Sequence, residues 1–124
     1  MRPMQALLAL GILLTLGACG GGGGGGFSGT VTAPAGATVQ GTVVLACFYL
    51  AATDSCDQDK SKTTSINTSG RSGNFSIEGL AAGDYVIVAQ NEAQGLIGIY
   101  LDSQGNPAIV KPPRSGINIQ LVQP

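Results

Sequence analysis

The chain has 124 residues, a net charge of −1, and only 10% charged residues. An ordinary soluble domain has roughly 25%, so a basic nucleic-acid-binding face is excluded. Histidine is absent, which excludes Ser-His-Asp and Cys-His nucleophile systems and nearly all zinc sites. We therefore expect one domain that is not an enzyme, holds no metal or cofactor, and has no nucleic-acid partner.

Residues 1–18 are predicted to be a targeting segment rather than part of the fold. Arg2 supplies a short positive region, and an apolar run follows at residues 6–16. A permanent transmembrane helix needs roughly twenty apolar residues, so this run is too short to be one. The composition and length are typical of a cleaved signal peptide.

The segment ends in Leu16, Gly17, Ala18 and Cys19. A Leu, two small residues and a Cys in this order resemble the signal of bacterial lipoproteins. The resemblance implies that the chain is cut before Cys19 and that Cys19 carries a diacylglyceryl group. Two or more acyl chains anchor a protein stably at a membrane without spanning it. An ordinary secretory signal with a chance Cys is the alternative.

Seven glycines follow at residues 20–26. Such a run has no side chains to bury, and we expect a flexible coil with a root-mean-square span of about 15 Å. Together with Cys19, this segment (residues 19–26) is predicted to tether the domain at 27–124 to the lipid. A phosphate-binding glycine loop is the alternative, but no Lys-Ser or Lys-Thr pair follows the run.

The first half of the domain predicts three strands. The first is at 27–32. The longest is at 38–51, where both alternating sets of side chains are apolar, which indicates a central strand covered at least partly on both faces. Residues 53–61 are predicted to be a polar loop, and a Thr-rich strand is predicted at 62–68.

The second half predicts four more strands. Phe75 and Ile77 alternate with polar residues, and residues 85–90 and 96–101 are strongly apolar. Ile117 and Ile119 begin a final alternating strand. No segment shows the 3.6-residue periodicity of a helix. Approximately seven short strands separated by turns predict an all-β fold, a Greek-key β-sandwich.

One stretch carries a family resemblance. The run from Gly73 to Ala89 contains a Gly-x-Phe strand, a Gly-Leu-x-x-Gly turn and a strand that starts at Tyr85. It resembles the carboxypeptidase regulatory-like domains, which share a transthyretin-like (prealbumin-like) sandwich. The resemblance implies that fold, with Phe75, Leu80 and Tyr85 in the core. It implies no catalytic activity, because the family is largely an accessory module.

Cys47 and Cys56 are the two cysteines left after lipidation of Cys19. An even pair in an exported chain predicts a structural disulfide that closes the segment after the longest strand. Two ligands are too few for zinc, and the spacing is not the Cys-x-x-Cys of redox-active pairs.

Asp54, Asp57 and Asp59 cluster in the predicted loop. Calcium prefers several carboxylates, so a calcium loop is one interpretation. The spacing is not that of an EF-hand, and Lys60 and Lys62 lie beside the cluster. A solvated loop is the simpler interpretation.

The sequence predicts a lipid-anchored protein of the cell envelope, on the outer membrane if the host has one. We expect it to act as a non-enzymatic interaction or structural module with an envelope protein or glycan as partner. A carbohydrate-binding module is one alternative, for which Phe48, Tyr49 and Tyr100 are the candidate stacking residues. An accessory subunit of an envelope enzyme is another.

Overall fold

A computed structural model describes residues 25–124 of the chain. The predicted signal peptide, Cys19 and residues 20–24 of the predicted tether lie outside the described residues. Within 25–124 the fold is all-β with seven strands, which confirms the predicted fold class. They are β1 (Gly25–Thr32), β2 (Thr42–Leu50), β3 (Ser55–Ile66), β4 (Ser72–Leu80), β5 (Tyr85–Asn91), β6 (Leu96–Ile99) and β7 (Arg114–Gln120).

The strands form two sheets. One has three strands in the order β4-β1-β7, and the other has four in the order β3-β2-β5-β6. Neighbouring strands run antiparallel except for β1 and β7, which are parallel. Strand β1 therefore lies in the middle of the three-stranded sheet, hydrogen-bonded on both sides, and β2 and β5 form the middle of the four-stranded sheet.

The core lies between the two sheets and follows the predicted alternation. Tyr85, Ile87 and Ala89 of β5 are fully buried, while Val86 and Val88 between them are half-buried on the other face. From the facing sheet, β1 and β7 contribute buried side chains at every second or fourth position. These include Phe27, Val31, Ile117 and Ile119, with Leu121 just beyond β7.

Two aromatic contacts fix the centre of this core. The ring of Tyr85 lies 5.4 Å from that of Phe27 and 5.2 Å from that of Phe48, both edge-on. The Tyr85 hydroxyl donates to the carbonyl of Ala81 at 2.7 Å. A buried phenol must satisfy its hydroxyl, and here it ties the turn between β4 and β5 to the core.

The polar loop predicted at 53–61 is wrong, because β3 begins at Ser55 and is the longest strand. Strand β3 is at the edge of its sheet, so most of its side chains face solvent and its polar composition resembles that of a loop. Its pairing with β2 is interrupted, since Ala46 pairs with Lys62 but Phe48 pairs with Asp57. Ser61 holds this bulge by accepting from the Phe48 amide at 2.9 Å.

Other element boundaries differ by a few residues. Strand β1 starts at Gly25, so the last two glycines of the run belong to a strand. Strand β2 starts at Thr42 rather than at residue 38. A single 3₁₀ turn at Glu92–Gln94 joins β5 to β6. No helix among the described residues is long and apolar enough to cross a membrane.

Candidate functional site

The outer face of the four-stranded sheet, which points away from the core, carries apolar side chains. Leu45 of β2 pairs directly with Val88 of β5, and Cys47 pairs with Val86. Leu45, Val86 and Val88 are half-buried, although no strand or helix of the described chain covers them. These three side chains form the floor of a groove, which we call the outer groove.

One wall of the outer groove is the hairpin that joins β2 to β3. Tyr49 projects from β2, Asp54 lines the groove from the turn, and Ser55 lines it from the start of β3. The predicted disulfide between Cys47 and Cys56 is present, with Cα atoms 5.3 Å apart. Because this bond joins the floor strand to the start of β3, it holds the hairpin wall in place beside the floor.

The opposite wall comes from the segment between β6 and β7. Val110 forms an antiparallel bridge with Tyr85, and this pairing places the segment beside β5. Ala108 and Val110 point into the core, so Pro107 and Ile109 point outward and line the groove. Ile109 is 53% exposed. Between its two walls the groove has a volume of about 460 Å³, within the range of small-molecule sites.

The polar corner of the groove is a hydrogen-bonded pair. The Tyr49 hydroxyl donates to Asp54 Oδ1 at 2.8 Å. This hydrogen bond, followed by partial burial and the charge of Asp54, raises the pKa of Tyr49 above its usual range. Asp54 has a φ of 52° and is the only non-glycine residue within 25–124 with a positive φ. Asp tolerates this left-handed conformation better than most residues, so the turn directs its carboxylate toward Tyr49.

The structure does not bring together the three carboxylates that were considered as calcium ligands. Asp54 bonds Tyr49, whereas Asp57 lies on β3 and accepts from the backbone amide of Asp59 at 3.0 Å. Within residues 25–124 no three His, Cys, Asp or Glu side chains cluster as metal ligands. Of the residues that the structure describes, Asp54 is the only charged one that lines the groove.

The three aromatic residues considered for sugar stacking do not form one surface. Tyr49 lines the outer groove, but its neighbour Phe48 points to the opposite face and packs against Tyr85. Lys60 covers the Phe48 ring at 4.8 Å. Tyr100 instead contacts Arg114, whose guanidinium lies 5.8 Å from its ring.

Sequence reasoning identified the floor of the groove only indirectly. The two apolar faces of β2 indicated a second covered surface, and the structure shows that surface as a half-open groove. Pro107 and Ile109 were not identified, because the composition of residues 102–107 predicts a turn and Ile109 lies just beyond it. The apolar side chain of Ile109, just beyond that turn, was the one feature of the sequence that pointed to this wall. The predicted lipidation site, Cys19, lies outside the described residues.

Comparison with known proteins finds nothing similar: no protein-family model, no curated protein and no solved structure matches the chain. The family resemblance therefore stays a prediction from the sequence.

Proposed function

We propose that the chain is a lipid-anchored protein of the cell envelope that binds a partner, without catalysis, through the outer groove. The observation that carries the binding role is the apolar face of β2 and β5, open between two walls. An apolar concavity with a few polar groups is the usual form of a binding site. The transthyretin-like resemblance, typical of accessory modules, supports the same role.

Membrane attachment is proposed from the sequence. Leu16 to Cys19 match the lipoprotein signal, and the glycine run separates Cys19 from β1. The disulfide between Cys47 and Cys56 fits an exported protein, because such bonds persist in oxidising compartments. The anchor therefore positions the domain at a membrane surface, where it meets an envelope protein or glycan.

A binding role is favoured over catalysis by the chemistry of the groove. Acid–base catalysis near neutral pH uses His or paired carboxylates with shifted pKa values. The chain has no His, and in the described part of the chain one carboxylate, that of Asp54, lines the groove. That carboxylate accepts a hydrogen bond from Tyr49. Binding of an apolar partner needs none of these catalytic groups.

Fractionation tests the anchor. The native chain should partition with membranes and the detergent phase, and the mass of its amino-terminal peptide should show acylated Cys19. Cys19→Ala should appear in the aqueous phase. Equal membrane retention of the two proteins would contradict the proposal.

Site-specific photo-crosslinking in intact cells tests the binding face. A photoreactive residue at Val88, inside the groove, should give a discrete adduct. The same residue at Glu78, an exposed position of β4 on the other sheet, is the matched control. Adducts of equal yield from both positions would show that the outer groove is not the binding surface.

A further inference from the structure

We propose that the outer groove binds a small apolar amine, with its hydrocarbon or aromatic body on Leu45, Val86 and Val88 and its ammonium group at Asp54. The inference deepens the binding role proposed above and rests on it, but it does not depend on the lipid anchor. It assigns the outer groove itself to a free small molecule, so an envelope protein or glycan would contact the domain at another surface.

The shape of the groove favours a small molecule. Its floor is formed by half-buried aliphatic side chains, and walls stand on both sides, the β2–β3 hairpin and the segment with Ile109. A volume of about 460 Å³ accommodates a ring or a short chain rather than an extended protein surface. The apolar lining supplies most of the affinity, because such surface gains free energy when it is removed from water.

The charge of the groove favours a cation. Among residues 25–124, Asp54 is the only charged side chain in the lining, and no Lys or Arg of that part of the chain lines the groove. Its Oδ1 accepts from the Tyr49 hydroxyl, and Oδ2 has no side-chain or backbone donor within residues 25–124. A ligand ammonium at Oδ2 would pair the charge, whereas a ligand carboxylate would meet repulsion.

The polar corner is held before a ligand arrives. The backbone amide of Tyr49 donates to the carbonyl of Asp84 at 2.9 Å, which fixes β2 at this point. The disulfide fixes Cys56 on the other arm of the hairpin. A site that is already ordered loses little conformational freedom on binding, so even a modest charge pair discriminates between ligands.

The test compares three probes that share a phenylethyl body at pH 7: cationic 2-phenylethylamine, neutral 2-phenylethanol and anionic 3-phenylpropionate. The full chain is reconstituted in phosphatidylcholine nanodiscs, with empty nanodiscs as the blank, and methyl NMR signals of Leu45, Val88 and Ile109 are followed. We expect the amine to bind about three- to fivefold more tightly than the alcohol, as for a partly exposed ion pair. The acid should bind least.

Two pairs of variants locate the determinants. Asp54→Asn keeps a residue that tolerates the left-handed backbone and removes the charge, so the amine preference should disappear. Asp59→Asn, which removes the same charge outside the groove, should keep it. Val88→Phe fills the groove and should weaken all three probes at least tenfold. Val122→Phe, the same exchange at an exposed position outside the lining, should leave binding unchanged.

Three outcomes would overturn the inference. If the three probes bind alike and Asp54→Asn changes nothing, the ammonium class is wrong, while a binding role for the groove survives. If no probe shifts the groove methyl signals, the groove is not a small-molecule site. If the native chain sediments as a dimer that Val88→Phe makes monomeric, the occupant is a second copy of the chain.

Discussion

The hydroxyl of Tyr49 and the carboxylate of Asp54 are hydrogen-bonded across the turn of the β2–β3 hairpin, 2.8 Å apart. The donor is at the end of one strand, and the acceptor belongs to the residue with the left-handed backbone. The pair thus couples the conformation of the turn to the protonation of one phenol.

The hydrogen bond between Tyr49 and Asp54 predicts that the Tyr49 hydroxyl loses its proton at a higher pH than an ordinary tyrosine. The hydrogen bond to Asp54 raises the pKa of Tyr49 above 10.0, so its phenolate should form at higher pH than that of a free tyrosine. Asp54→Gly suits the positive φ and removes both the hydrogen bond and the charge, so the pKa should fall toward 10.0. Tyrosine ring ¹³C shifts followed from pH 8 to 12 measure this, and an unchanged titration would contradict it.

The sign of the effect on stability follows from linkage. A pKa raised by folding stabilises the folded state while the phenol is protonated, below its unfolded pKa near 10. This contribution is lost as pH rises through the folded pKa of Tyr49. The difference in unfolding free energy between the native chain and Asp54→Gly should therefore be constant from pH 7 to 9 and should shrink above pH 10.

The disulfide should contribute measurably to stability. Cys47 and Cys56 are separated by nine positions. By the chain-entropy argument, closing a loop of this size stabilises the fold by about 2.5 to 3 kcal/mol. Chemical denaturation of the Cys47→Ser/Cys56→Ser double variant should show that loss. The native chain unfolded with and without a reductant is the control, and equal midpoints would refute the contribution.

The buried hydroxyl of Tyr85 should contribute more to the stability of the fold than an exposed tyrosine hydroxyl does. Tyr85→Phe leaves the ring contacts to Phe27 and Phe48 in place but leaves the carbonyl of Ala81 without its donor. We expect a loss of about 1 kcal/mol, the usual net value of such a bond. Tyr100→Phe, which removes an exposed bond to Arg114 at 3.3 Å, is the matched control. Similar losses in both would contradict the role of burial.

Gly29 should be irreplaceable in β1. A Cβ built there would lie 1.7 Å from the carbonyl oxygen of Ile117 in β7, and backbone cannot move aside as a flexible side chain can. Gly29→Ala should therefore cost more than about 2 kcal/mol by thermal unfolding, or prevent folding. Gly36→Ala meets open space at a φ of 86° and should cost only about 1 kcal/mol. Equal costs would show that the β1–β7 spacing adjusts freely.

The sequence correctly predicted the inward-facing side chains of strands in which apolar residues recur at every second position. Tyr85, Ile87 and Ala89 alternate cleanly, and their inward direction was readable because one face of a strand repeats every second residue. Ser55 to Lys60 lacked that pattern, since an edge strand with solvent on most sides places no demand on its side chains. Its strand state depends on backbone pairing with β2, which composition does not record.

The lining of the outer groove could be predicted from the sequence only in part. Leu45 and Val88 belong to strands whose outer faces were visibly apolar, so part of the floor could be anticipated. Ile109 and Asp54 reach the same space from chain positions 55 residues apart. Their meeting depends on the twist of the hairpin and on the bridge between Val110 and Tyr85. Contacts of this kind follow from tertiary structure, which local sequence patterns do not specify.

Strand β1 lies between β4 and β7, so its sheet is complete only after both of these later strands have been synthesised. Its antiparallel partner, β4, follows it within about forty residues, but its parallel partner, β7, is the last strand to be synthesised. Until residues 114–120 are present, one side of β1 has no hydrogen-bonding partner and Val31 lacks the cover of Ile117 and Ile119. A nascent chain that stalls after β6 therefore exposes the unpaired backbone edge of β1, which can pair with a strand of another chain. Strand β7 covers that edge and becomes the outer strand of the sheet, with the polar side chains of Asn118 and Gln120 exposed.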